Sequence, residues 1–139
     1  TVLAAAGVIR LGLKEHIAEW LSLDTMLPAP GQGALGIQCR ADDAETLALL
    51  SKIHCADVET AVTAERTFLN QLNGGCATPV GAYAVMKRGK LHLTALVSDP
   101  NGTRQIKVEG TRNDGDGRAL GIQLAKEALA QGAGEILSN

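Results

Sequence analysis

Residues 70–85 read NQLNGGCATPVGAYAV. Apolar residues at helical spacing run into this stretch and stop at Gly74 and Gly75. A thiol, Cys76, follows, and from Pro79 onward the residues alternate as a strand does. The stretch is a helix-to-strand corner, and it decides the reading on both sides. Upstream, DVETAVTAERTFLNQLNGG (57–75) places Val58, Ala61, Val62, Phe68, Leu69 and Leu72 on one helix face. Asp57 is the expected N-cap and Gly74 the expected C′ stop. Downstream, TPVGAYAVM (78–86) alternates and KRGK (87–90) turns the chain. LHLTALVS (91–98) alternates again, with Leu91, Leu93, Ala95 and Val97 on one face. DPNG (99–102) is a turn signal. TRQIKVEGT (103–111) is a third strand, polar enough for an edge, and NDGDG (113–117) is a loop. RALGIQLAKEALAQG (118–132) is a closing amphipathic helix that stops near Gly132. The pattern is α-β-β-β-α, an α+β unit with a three-stranded antiparallel sheet covered by helices.

Residues 1–53 do not close on themselves. TVLAAAGVIRLGL (1–13) reads as the end of a buried helix, with Gly7 and Gly12 weakening it or allowing close packing. KEHIAEWL (14–21) continues as a short amphipathic turn or helix. In LDTMLPAPGQGALGIQCR (23–40), Pro28 and Pro30 impose an extended entry. Gly31 and Gly33 permit unusual backbone angles, and ALGIQC (34–39) is a short strand candidate. ADDAETLALLSKI (41–53) is a helix that Asp42 caps, with Glu45 as capping-box partner. The chain opens inside an apolar run without an initiator Met. These pieces are expected to belong to other domains of a longer chain. Their exposed apolar faces make self-association of the piece plausible.

Composition narrows the class. Hydrophobic residues make up 45% of the 139 residues and charged residues 20%, as in a globular protein. A net charge of −2 gives no basic field for nucleic acid, and 2% aromatics give no base-stacking platform. Apolar runs fall short of the roughly 20 residues that span a bilayer. The three cysteines, Cys39, Cys55 and Cys76, form no CxxC pair and are odd in number. A reducing cytoplasm is the expected setting.

Cys76 lacks the signature of an activated nucleophile. Between Arg66 and Lys87 there is no Lys, Arg or His. The thiol also follows a helix C-terminus, where the dipole is negative. It is either a small semi-buried turn residue or a tether, carrying a covalent group on a glycine-rich loop into a cleft between domains. His54 adjoins Cys55, but no second ligand pair is spaced for zinc, so no metal site is expected. His16 and His92 are isolated. GQGALG (31–36) precedes its strand candidate and so makes a poor dinucleotide fingerprint. Arg10 stands in an apolar helical run, either as a helix-end cation or as a carboxylate fork. Arg40 and Arg66 could act likewise, or pair with acids such as Asp42 and Glu65.

Three segments together resemble the porphobilinogen deaminase (hydroxymethylbilane synthase) family. They are AAAGVIRLGL (4–13), similar to that family's A-G-x-x-R-L-G segment, LPAPGQGALGIQCR (27–40) and TAERTFLNQLNGGCATPVGAYA (63–84). The resemblance implies a C-terminal part of a three-domain transferase. Residues 1–27 would be the tail of domain two, 28–53 the strand and helix returning to domain one, and 54–139 domain three. It implies condensation of four porphobilinogen units, each losing ammonia, to hydroxymethylbilane in tetrapyrrole and haem biosynthesis. A dipyrromethane cofactor, held by a thioether to Cys76, would prime the chain. The electrophile would be made by loss of ammonia, so Cys76 would need reach more than a depressed pKa. Arg10 would bind the acetate or propionate groups of the pyrroles, and Gln32, Gly33 and Ala4 would line the same cleft. The family's catalytic aspartate has no counterpart here, so this chain alone is expected to be inactive. The parent would be a cytoplasmic monomer with no nucleic-acid or membrane partner. The alternative from the residues alone is a non-catalytic α+β ligand-binding or regulatory module with a structural Cys76. A thiol acyl-transfer enzyme is disfavoured, because no base and orienting acid lie nearby in the sequence.

Overall fold

A computed structural model describes residues 1–75 and 78–138. Cys76, with Ala77, lies outside the described residues. The elements are α1 (Ala5–Arg10), a 3-10 turn (Lys14–His16), α2 (Ala44–Leu50), α3 (Ala56–Gln71), β1 (Val80–Lys87), β2 (Lys90–Ser98), β3 (Gln105–Arg112), α4 (Gly117–Ala130) and α5 (Ala133–Leu137). The strands form an antiparallel sheet in the order β1-β2-β3. α3, α4 and α5 cover one face of it, giving the α+β architecture expected.

The β1–β2 hairpin closes at Arg88 and Gly89, both with positive φ (52° and 73°). A two-residue turn of this kind matches the right-handed strand twist. It sets Lys87 opposite Lys90 and Val80 opposite Val97. That register puts Val80, Ala82 and Ala84 on the same face as Leu91, Leu93, Ala95 and Val97, and all seven are buried. β3 adds Val108 opposite Ala95. Over this face lie Phe68 and Ala64 of α3, Leu120 and Leu124 of α4, and Ile136 of α5, none more than 3% exposed. Fully burying a Leu or Phe side chain contributes roughly 1.5–3 kcal/mol each. With one Phe in the chain, aliphatic packing dominates.

The helix ends follow local chemistry, with several departures from expectation. α3 has Cys55 at its N-cap without a side-chain cap bond, and Asp57 sits inside the first turn with Glu59. Both acids favour the positive end of the helix there. Val58 is 48% exposed and lies off the buried stripe. At the far end Asn73, not Gly74, takes the left-handed conformation (φ 53°). The Asn73 amide donates to the Asn70 carbonyl and the Gly74 amide to the Leu69 carbonyl, at 3.1 Å each, which is a Schellman close. α2 is capped by Asp43, whose carboxylate accepts from the Thr46 amide at 3.0 Å, so neither Asp42 nor Glu45 makes the expected box. α4 begins one residue earlier than expected, capped by Asp116 on the Ala119 amide. After the left-handed Gly132, α5 tucks Ala133 and Ile136 into the core, an element the sequence reading did not contain.

The N-terminal segments depart most. Residues 34–39 form no strand, and no described strand pairs with them. The expected buried helix is a six-residue turn with no buried residue, and 14–21 yields only the 3-10 turn. None of residues 1–60 is buried. Their attachment to the sheet is a strap along the free edge of β1, where the Ala82 amide donates to the Pro28 carbonyl at 2.9 Å.

Candidate functional site: a pinned cysteine loop and a latched glycine turn

Gly75 and Thr78 flank Cys76 and Ala77 in the chain. Past the Schellman close, the Gly75 amide donates to the Thr78 hydroxyl at 2.7 Å. The Thr78 amide donates back to the Gly75 carbonyl at 3.0 Å. Two reciprocal bonds therefore pin the ends of the segment that holds Cys76, and Gly75 is exposed. On the downstream side the sheet takes over at once, since the Ser98 amide donates to the Pro79 carbonyl at 3.0 Å.

The second part is the turn carrying Gln32 and Gly33. The Gln32 amide donates to the Ala29 carbonyl at 2.9 Å and the Ala34 amide to the Gly31 carbonyl at 3.2 Å. Gly31 (φ 79°) and Gly33 (φ 86°) each occupy the third place of a four-residue turn. Pro30 pre-sets the second place of the first turn, so both follow the type II pattern, in which a positive φ favours glycine. A Cβ on Gly33 would meet nothing within 4 Å, so its requirement is conformational rather than steric. Gln32 is exposed.

One side chain ties this turn to the sheet, and the sequence reading missed its role. Glu65 of α3 is 6% exposed and is the sole charged or polar side chain buried among the described residues. Its Oε2 accepts from the Gly31 amide and its Oε1 from the Ala84 amide of β1, both at 2.6 Å. Burial pushes its pKa up, while the amides of Ala84 and Gly31 pull it down. The expected alternative, an Arg66 pairing with Glu65, does not form. Arg40 pairs with Asp43 at 3.8 Å rather than with Asp42. A signal for Glu65 did exist: it is an acid at the helical spacing of the buried stripe Ala61, Ala64, Phe68.

Arg10 ends α1, where a cation suits the helix dipole. It is exposed, and no hydrogen bond or ion pair engages it among the described residues. Ala4 is the N-cap of α1, and its carbonyl accepts from the Gly7 amide at 3.0 Å. No hydrogen bond among the described residues joins Arg10 or Ala4 to the 29–34 turn. The structure thus links the Gln32 turn to α3 and β1, and leaves Ala4 and Arg10 on a separate exposed segment. His16 lies near Glu15, His54 near Glu59, and His92 Nδ1 is 2.9 Å from the Thr111 hydroxyl. Among the described residues no three His, Cys, Asp or Glu side chains gather as a metal set. No helix among them is long and apolar enough to cross a membrane.

Comparison with known proteins covers both parts of this arrangement. Residues 59–130 match the family described as porphobilinogen deaminase, C-terminal domain. Residues 1–48 match porphobilinogen deaminase, dipyromethane cofactor binding domain. The chain is 48% identical over 138 residues to the porphobilinogen deaminase of Brevibacillus brevis (strain 47 / JCM 6285 / NBRC 100599), covering 99% of this chain and 44% of that protein. It is 48% identical over 137 residues to the porphobilinogen deaminase of Syntrophotalea carbinolica, again covering 99% and 44%. The chain therefore spans less than half the length of these relatives. Its strap and latched turn fall within residues 1–48 and its sheet and most of α3 within 59–130, and the chain belongs to the porphobilinogen deaminase family.

Proposed function

We propose that this chain is part of an enzyme that condenses four porphobilinogen units head to tail, with loss of ammonia, to give hydroxymethylbilane for tetrapyrrole and haem biosynthesis. The observation that carries the reading is identity of 48% to porphobilinogen deaminases along 99% of the chain. In this reading residues 1–27 belong to a second domain, 28–53 return to a first, and 54–139 form a third, within a cytoplasmic protein. The 139 residues by themselves are inactive, because the proton-handling aspartate comes from elsewhere in the parent.

The residues present fit a dipyrromethane. That group carries carboxylates, and Arg10 offers an exposed guanidinium with no partner among the described residues. The loop ends at Gly75 and Thr78 are pinned to each other, with Gly75 exposed, as a tether site requires. When bound, the cofactor supplies the pyrrole terminus onto which units are added. Cys76 holds it through sulfur. Arg10 holds carboxylates of the pyrrole chain, and Gln32, Gly33 and Ala4 line the cleft.

The test is the intact mass of the full-length protein with peptide mapping across residues 70–83. The expected adduct equals two porphobilinogens less two ammonias, on Cys76. An unmodified Cys76 in protein from a porphobilinogen-producing host would remove the reading and favour a non-catalytic binding module. Arg10→Leu in the full-length protein is expected to keep the adduct. It should raise KM for porphobilinogen roughly 10- to 100-fold, as expected for losing a charge-assisted hydrogen bond. Steady-state kinetics identical to wild type would remove Arg10 from the site.

A further inference from the structure

We infer that Glu65 is a positioning residue that fixes the Gln32 turn to the cysteine-bearing domain. The inference rests on the function proposed above. Its two carboxylate oxygens hold backbone amides from two separate segments, one 34 residues away at Gly31 and one 19 residues away at Ala84. It is buried at 6% exposure in an otherwise apolar stripe, where a carboxylate is costlier to desolvate than an apolar side chain. An apolar side chain would complete the stripe of Ala61, Ala64 and Phe68 without that cost. The carboxylate therefore acts by joining two backbones, and an apolar isostere could not do so.

Little else orients the turn. The Pro28 carbonyl on the Ala82 amide holds one end. Leu27 lies against Gly81, where an added Cβ would come within 2.9 Å of the Leu27 Cβ. Glu65 holds the other end, and two points of attachment stop the turn from rotating about the strand edge. Gln32 and Gly33 follow directly after the second point and are exposed. Glu65 also lies seven residues before Leu72, the C-cap of α3, which is about 10 Å along the helix axis. α3 thus carries the latch for the Gln32 turn and runs in sequence toward Cys76, four residues past its C-cap. Loosening the latch lets the cleft-lining turn move relative to the tethered chain.

The experiment uses the full-length protein with Glu65→Gln and Glu65→Asp. It measures hydrogen exchange at the Gly31 and Ala84 amides, the Cys76 adduct by intact mass, and kcat and KM for porphobilinogen. Glu65→Gln presents an NH2 group to one of the two amides and breaks that contact. The expected result is a retained adduct and loss of protection at whichever of the Gly31 and Ala84 amides faces the NH2 group. The fall in kcat should be on the order of 10- to 100-fold, the scale of an ångström-level misplacement, with a smaller change in KM. Glu65→Asp should recover part of kcat. A role in stability alone would lower the unfolding midpoint while leaving kcat of the folded enzyme unchanged, and that result overturns the inference. So does a wild-type Gly31 amide that exchanges as fast as that of Gly33, a measurement that needs no variant. If wild type carries no adduct and consumes no porphobilinogen, the functional reading fails. The exchange data still decide whether the latch exists.

Discussion

Full-length protein carrying Cys76→Ser is expected to fold normally, to carry no dipyrromethane adduct and to lose turnover to background. Thioether formation needs a nucleophile with some thiolate character. A free thiol is a few per cent ionised at neutral pH, whereas a serine hydroxyl is essentially un-ionised. The loop has no cation close in sequence to compensate. The fold should tolerate the change. Gly75 beside it is exposed, and the reciprocal bonds between Gly75 and Thr78 do not use the sulfur. Little change in stability is expected, because the flanking bonds between Gly75 and Thr78 remain. Cys39→Ser and Cys55→Ser are the controls. Cys39 is half-buried and Cys55 exposed, both are free, and both variants should keep the adduct. Intact mass decides: a stoichiometric adduct surviving in Cys76→Ser would assign attachment to another residue.

The second large effect is on the fold. α4 packs on α3 through Gly121. A Cβ built there would lie 2.6 Å from the Ala64 carbonyl oxygen, 2.8 Å from Thr67 Cβ and 3.0 Å from the Phe68 nitrogen. Two of these three atoms are helix backbone, which cannot swing aside. Gly117, one turn earlier, presses on the Thr60 carbonyl in the same way. Gly121→Val must push the two helices apart and open the core around Phe68, Leu120 and Leu124, all fully buried. Overpacking costs roughly 1–3 kcal/mol and occasionally more. Valine should reach at least about 3 kcal/mol. Alanine should cost less, because leaving glycine regains about 1 kcal/mol of helix propensity. Against a total stability of roughly 5–15 kcal/mol, the valine variant should show a clear drop in denaturation midpoint. Gly134→Ala is the control, since its Cβ would meet Leu129 Cδ2 at an ordinary 3.7 Å. Equal midpoints for Gly121→Val and wild type would refute the close helix contact.

Much of the α+β unit was legible because its signals are local. The alternation of Leu91, Leu93, Ala95 and Val97 reports a half-buried strand wherever it occurs, and the DPNG and KRGK turns separate the strands. Errors fell where two local solutions compete. Asp42 and Asp43 are both capable caps one residue apart, and the second was used. Asn73 and Gly74 can both adopt a left-handed turn, and the first did. The 34–39 stretch has the composition of a strand, but a strand also needs a partner edge, and no described strand supplies one. The candidate site residues have different origins in the sequence. Cys76 and Arg10 stand out from the residues themselves, as a possible tether and a possible carboxylate fork, whereas Gln32, Gly33 and Ala4 rest on motif resemblance alone and Glu65 enters only as a possible partner of Arg66.

The amino-acid sequence by itself determined the order of helix, three strands and helix across residues 57–132. It did so because side-chain periodicity and turn chemistry act over a few residues. The tertiary structure alone decided that the Pro28 carbonyl meets the Ala82 amide, and that Glu65 meets the amides of Gly31 and Ala84. Backbone donors and acceptors are the same at nearly every residue. Which of them a buried carboxylate or a free strand edge will find is settled only when distant segments pack together.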